Sequence, residues 1–356
     1  MGSIVQTVPL GLHWPTAEPF LFCAHHLDLY PAGNAAFGPK GSLAGRNIGS
    51  DFEARDGWRM YHGSTVPGFP EHPHRGFETI TFARRGFIDH SDSMGAAARF
   101  GRGDVQWMTA GAGVVHSEMF PLLDSEQGNP VELFQIWLNL PAADKMVAPH
   151  FTMFWADDIP QHRSLDTNGR GTMLTVIAGA HEVAGNDGPL RLTPPSPPPA
   201  SWASRAESDI ALWHLVLEPG AQFTIEPTRG ADTVRVLYAF EGAITIDGES
   251  VPTNTGAVVD RSHTLQLVAG ADGAEVLMMQ ARPIGEPVAQ YGPFVMNTRE
   301  EIEQAFDDYR RTGFGGWPWD RPDPVHGGEP TRFARHSDGR VEFPPGAEVS
   351  AVSQPG

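Results

Sequence analysis

A chain of 356 residues with 40 glycines, 32 prolines and only 19% charged residues has the length for two cored domains and the turn density of β architecture. Its formal charge of −18 opposes direct nucleic-acid binding, which needs clustered Lys and Arg. A single cysteine, Cys23, excludes an intramolecular disulfide, and no apolar run reaches the roughly 18–20 residues that span a bilayer, so a soluble, cytoplasmic monomer is expected.

The opening stretch "MGSIVQTVPLGLHWP" has neither a basic segment nor a sustained apolar one, so no secretory signal is expected. Gln6 stands where a myristoylation signal needs Ser or Thr. His25 and His26 are adjacent, face opposite sides of a strand and cannot chelate one ion together; both read as ordinary polar or partly buried residues. In "FPEHPHRGFETITF", His72 and His74 flank one proline. Pro73 biases His72 toward extended backbone, where residues i and i+2 share a face, so both rings point the same way. Two neutral imidazoles side by side are half of a metal site.

"FETITFARRGFIDHSDS" reads as a strand followed by a turn, with His90 in turn chemistry. "GRGDVQWMTAGAGVVHSEM" reads as a tight turn, a short apolar run, a glycine-rich bend and another strand. The "GAG" at 111–113 lacks the longer glycine pattern and following helix of a phosphate loop. His116 and Glu118 are again an i, i+2 pair on one strand face and supply the other half of the site. Three imidazoles and a carboxylate without thiolate suit divalent Fe, Mn, Ni, Cu or Zn, with positions left for substrate and dioxygen. "VELFQIWLNLP" alternates as a strand with one buried face.

Beyond the proline-rich run 192–204, read as a surface loop, "ALWHLVLEPGAQFTIEP", "TVRVLYAFEGAITIDGESV" and "GAVVDRSHTLQLVAG" give short strands joined by turns. They form a second β unit that lacks any His-x-His pair. Thr298 with Glu301 predicts a helix start, Ile302, Ala305, Phe306 and Tyr309 its apolar stripe, and Gly313 its stop. The Trp-, Pro- and Gly-rich tail beyond has no periodicity and is expected to be irregular coil.

"HPHRGFETITF", "DHSDSMG", "GDVQWMTAGAGVVHSEM", "QIWLNLP" and "YGPFVMNTREEI" closely resemble the pirin family of bicupins, over roughly residues 20–315. The resemblance implies a mainly β fold of two cupin barrels of jelly-roll type packed face to face, with a C-terminal helix and irregular tail. On this reading residues 1–145 form the metal-binding cupin, 146–297 a cupin-like domain without metal ligands, and 298–356 the helix and extension. One ion, usually iron, is implied in the N-terminal barrel only. Its ligands fall on His72, His74, His116 and Glu118, with Glu118 also the expected catalytic carboxylate. General cupins instead take a glutamate shortly after His-x-His, where Glu78 stands; Glu118 is preferred here, as in pirins. Several family members are flavonol 2,3-dioxygenases acting on quercetin, and others are iron-dependent cofactors for transcription factors. The expected function is therefore oxidative ring cleavage of a small planar aromatic flavonol by dioxygen, with an iron-binding, redox-sensing regulatory protein as the alternative. A ferrous ion with Glu118 and three neutral histidines carries a net +1, which a bound flavonol anion would neutralise in an apolar pocket. Phe77, Trp107, Met108 and Met119 are the expected apolar walls.

Overall fold

Runs of Val, Ile, Phe and Thr punctuated by glycine form strands through most of the chain in the computed structural model, which describes residues 2–185 and 188–347. The fold is mainly β, and Arg299–Thr312 is the one α-helix among the described residues. Two compact units emerge, each a cupin built of antiparallel strands.

The first unit comprises His25–Gln135, Leu140–Asp157 and the described residues from Glu286 onward. One of its sheets runs in the order Val341–Glu342, Phe333–Arg335, Ala97–Gly101, Phe87–Asp92, Val114–Met119, Gly68–His74. The other is built on His150–Phe154, Asp104–Thr109, Phe77–Arg85 and the first-unit residues of Asn129–Asn139. Ile88, Phe100 and Val114 from the first sheet pack with Ala83, Met108 and Leu133 from the second, so the two sheets share one apolar core. Phe87–Asp92, Asp104–Thr109 and Val114–Met119 are buried at every residue although half or more of their side chains are polar, so those polar groups face protein rather than water.

The second unit comprises residues 2–24, Ile136–Asn139 and Asp158–Gly285. Its seven-stranded sheet has the order Ile4–Pro9, Thr255–Val259, Val234–Glu241, Ala274–Ala281, Ala211–Leu217, Gly171–Ala178, Gln161–Leu165. A four-stranded sheet of Gln222–Ile225, Leu265–Ala269, Ile244–Ile246 and Glu249–Val251 closes over it, burying Leu215, Leu237 and Val276 against Phe223, Ile246 and Leu267.

The compact units are thus not the contiguous segments 1–145 and 146–297. Ile4–Pro9 pairs with Thr255–Val259, with Val8 opposite Gly256, and so closes the edge of the second unit. At the other end, the tail is not wholly irregular coil. Phe333–Arg335 pairs with Ala97–Gly101, Phe333 opposite Arg99, and extends a sheet of the first unit. Three residues carry no periodicity, which is why the pattern did not show it. Residues 348–356 of the extension lie outside the described residues.

The helix forms as its sequence predicts. Thr298 Oγ1 accepts from Glu301 N, Glu301 Oε2 accepts from Thr298 N, and Gly313 ends the helix at φ 56°. Ile302 and Ala305 are buried, and Phe306 and Tyr309 pack edge-on against Phe294. No helix among the described residues is long and apolar enough to cross a membrane.

Candidate metal centre

His72 and His74 lie on Gly68–His74, and the antiparallel pairing of that strand with Val114–Met119 sets His72 directly opposite His116. Directly paired residues on one sheet face stand about 5 Å apart, so register alone brings the rings together. The ring centroids are 4.4 Å apart for His72 and His116, 4.9 Å for His74 and His116, and 4.8 Å for His72 and His74. One ligating nitrogen from each ring lies within 4.8 Å of the others, a cluster of a size that can hold one metal ion.

The bend that feeds the His116 strand explains the "GAG" motif. Gly111 and Gly113 adopt φ of 48° and 132°, and a Cβ on them would collide with the Val147 carbonyl and the Phe314 ring respectively. The glycines serve a tight, crowded turn rather than a phosphate.

The rings are held as neutral bases. Burial lowers His72 to about 4, partly countered by the hydrogen bond of its Nδ1 to the Pro70 carbonyl at 2.8 Å. That bond places the proton on Nδ1 and leaves Nε2 with its lone pair. Burial, then the neighbouring His72 ring, drives His74 well below the ordinary imidazole value, and burial with the His72, His74 and His90 rings does the same to His116. Both ring nitrogens of His116 are buried without a hydrogen-bond partner. A buried polar atom left unpaired is costly, and a cation at the lone-pair nitrogen of the neutral ring would satisfy one of the two. The donor set therefore fits a divalent ion.

Glu118 lies two residues on, with Oε2 3.9 Å from His116 Nε2. Gln135 Nε2 donates to Glu118 Oε2 at 3.2 Å, and Thr81 Oγ1 lies 3.0 Å from Oε1. The same hydroxyl lies 2.6 Å from Gln135 Oε1, so its single proton serves one acceptor at a time. Burial pushes the Glu118 carboxyl up, against the opposing pull of His90, Thr81 and Gln135. Glu78 is also buried but sits on the other sheet, opposite Thr109, whose hydroxyl donates to Glu78 Oε1 at 2.7 Å.

His90 belongs to the strand Phe87–Asp92 rather than a turn, opposite Glu118, with its ring 5.4 Å from that of His116. His25 pairs with Glu132 at 3.0 Å, and His26 Nδ1 lies 2.8 Å from the Tyr61 hydroxyl, so both adjacent histidines have structural partners. Of the expected apolar walls, Phe77 packs edge-on against His74 at 5.1 Å, Trp107 packs on Phe154 and Met108 joins the sheet core; Met119 is fully buried.

The model of the family described as pirin matches residues 49–138, and that of the pirin C-terminal cupin domain matches residues 212–315. The chain belongs to the pirin family. A pirin-like protein of Caulobacter vibrioides is 39% identical over 247 residues, covering 69% of this chain and 80% of the relative. A Pseudomonas aeruginosa relative with a provisional quercetin 2,3-dioxygenase name is 39% identical over 249 residues, covering 69% and 79%. Among solved structures, that of quercetin 2,3-dioxygenase from Acinetobacter baumannii superposes with a TM-score of 0.65 at 26% identity, covering 88% of this pirin and 98% of that chain.

Proposed function

We propose that this pirin is a metal-dependent cupin dioxygenase that opens the heterocycle of a flavonol such as quercetin. His72, His74, His116 and Glu118 would hold one divalent ion, for which we propose iron; Mn, Ni, Cu and Zn suit the same donors. The observation that carries the reading is the convergence of three neutral imidazoles around a buried His116 with no hydrogen-bond partner. A bound ion would supply Lewis acidity that favours the deprotonated form of an oxygen ligand.

The chain's own residues prepare that site. Neutral rings offer lone pairs without first releasing protons. Pro70 fixes the tautomer of His72, and Thr81 with Gln135 orients the Glu118 carboxylate. Glu118 Oε2, 3.9 Å from His116, is the group we assign to accept the proton of the flavonol 3-hydroxyl. Phe77 keeps the His74 side apolar. The provisional name of the Pseudomonas relative supports the substrate class.

The test is incubation of protein loaded with each metal in turn with quercetin under air, following carbon monoxide and dioxygen uptake. Release of carbon monoxide above the metal-only control supports the assignment. If every loaded form leaves quercetin unchanged, the iron-binding regulatory reading replaces it.

A further inference from the structure

A second cavity lies in the other cupin, which carries no His-x-His pair. The register of three neighbouring strands sets Arg235, Gln280 and Ala211 in one row, and Leu237, Met278 and Trp213 in the next row on the same face. Leu237, Met278, Ala211 and Trp213 belong to the apolar core of this unit, so Arg235 lies on the interior face of the barrel. It is 3% exposed, a rare position for a guanidinium without a full set of acceptors. Its Nε donates to Gln280 Oε1 at 2.7 Å, and Gln280 Nε2 donates in turn to the Asp209 carbonyl, which fixes the plane of the guanidinium. Its Nη1 is buried with no partner, and so is Nε1 of Trp213.

Both residues line a cavity of about 860 Å³, within the range of small-molecule sites. The His181 ring packs against Trp213 at 4.3 Å and also lines it. The proline-rich run 192–204 has a place here: it contains buried Trp202, which donates to the Arg282 carbonyl, and its last residues, Ala203 and Ser204, form part of the wall.

The two unpaired buried groups are both donors, so the ligand they await must bring acceptors. One donor carries a positive charge and the other belongs to an aromatic ring with a second ring against it. We propose that this cavity binds a small aromatic carboxylate, its carboxylate on Arg235 and Trp213 Nε1 and its ring against Trp213 and His181. A planar guanidinium matches a carboxylate closely. Burial lowers Arg235 only to about 10, so it stays protonated at neutral pH. Asp209 tempers its charge in the free protein, while the Asp209 Oδ2 lone pairs are taken by Gly230 N at 3.0 Å and Thr233 Oγ1 at 2.7 Å. Glu182, Glu207, Glu226 and Asp232 also line the cavity, so a monoanion is favoured over a dianion such as phosphate.

Calorimetric titration of the full chain with 2-naphthoate tests the assignment, with 2-naphthamide, acetate and inorganic phosphate as comparison ligands. Saturable binding of 2-naphthoate is expected, with the amide and acetate at least about tenfold weaker. Arg235→Gln should weaken it by about 10–100-fold, the range for a hydrogen bond to a charged group. Trp213→Phe keeps the ring but removes the N–H, and should weaken binding about fivefold; it carries the test if Arg235→Gln does not fold. His72→Ala should bind 2-naphthoate like the parent, which separates this site from the metal centre. Equal binding of the amide, preference for phosphate, unchanged affinity in the folded variants, or loss in His72→Ala would each overturn the proposal.

Discussion

At the level of single residues, the two buried glutamates are distinguished by what they face. Glu118 Oε2 points toward His116, whereas Glu78 is engaged by Thr109 on the other sheet. Glu118→Gln removes the one negative charge proposed for the ligand set, so metal affinity should fall by more than the 10–100-fold typical of an outer contact, while Glu78→Gln should stay within that range. Metal retention under mild chelation, measured for both variants side by side, checks this; loss from Glu78→Gln alone would reverse the assignment. The histidines also give a pH signature. Unfolded imidazoles titrate near 6.5, while His72 does so at about 4 and His74 and His116 well below their ordinary value. Between these values the unfolded chain binds protons that the folded chain refuses, so the metal-free protein should be most stable above pH 6.5 and lose stability as pH falls toward 4. Asp28, Asp104 and Glu118 act oppositely, because a carboxyl raised by burial costs stability above its unfolded value, but His181 and His326 are lowered as well and join the three site imidazoles. Urea midpoints across that window should decline less steeply in His72→Gln; an equal slope would assign the decline to other groups.

Among the elements, those with strong local chemistry were legible and those made by pairing were not. The C-terminal helix was readable because its cap, stripe and stop are all local: Thr298 and Glu301, Ile302 and Ala305, Gly313. Thr298→Ala should lower the local stability of this helix by about 1 kcal/mol. Faster hydrogen exchange at Ile302 and Ala305, with unchanged protection in Val114–Met119, is the expected readout. The i, i+2 pairs were equally readable, since a strand's period puts His72 with His74 and His116 with Glu118 on one face. That His72 stands opposite His116 needed the register, which no single strand encodes. The place of His90 opposite Glu118 was not legible because its segment was read as a turn, and Arg235 was not legible because one arginine in an apolar strand carries no spacing signal.

For the molecule as a whole, the expected content is one metal ion per chain, because the described residues hold one His/Cys/Asp/Glu cluster of metal-binding size. Elemental analysis should give one equivalent, lost in His72→Ala; a second equivalent surviving that change would contradict it. The tail is integral to the first unit. Arg99 is fully buried, paired with Asp89 at 2.6 and 2.7 Å, and also donates to the Glu329 and Gly327 carbonyls. A chain ending after Gly316 would strip those acceptors from a buried cation and expose the Ala97–Gly101 edge. Aggregation on expression is the expected outcome, and a soluble monomer with parental melting behaviour would refute it. The ends of the chain were the least legible part of the fold, because strands as short as Phe333–Arg335 join whichever edge is open, and local sequence does not say which.

That arrangement of the ends has a consequence for synthesis. Ile4–Pro9 is synthesised well before its partner Thr255–Val259, which follows roughly 10–50 s later at ordinary elongation rates. Ala97–Gly101 likewise waits for Phe333–Arg335. Both edges stay open while the nascent chain lengthens, so neither unit matures until its late strand has been made. Such long closures slow folding and leave sticky edges in need of a chaperone. A nascent chain stalled at residue 250 should therefore remain protease-sensitive at its amino end.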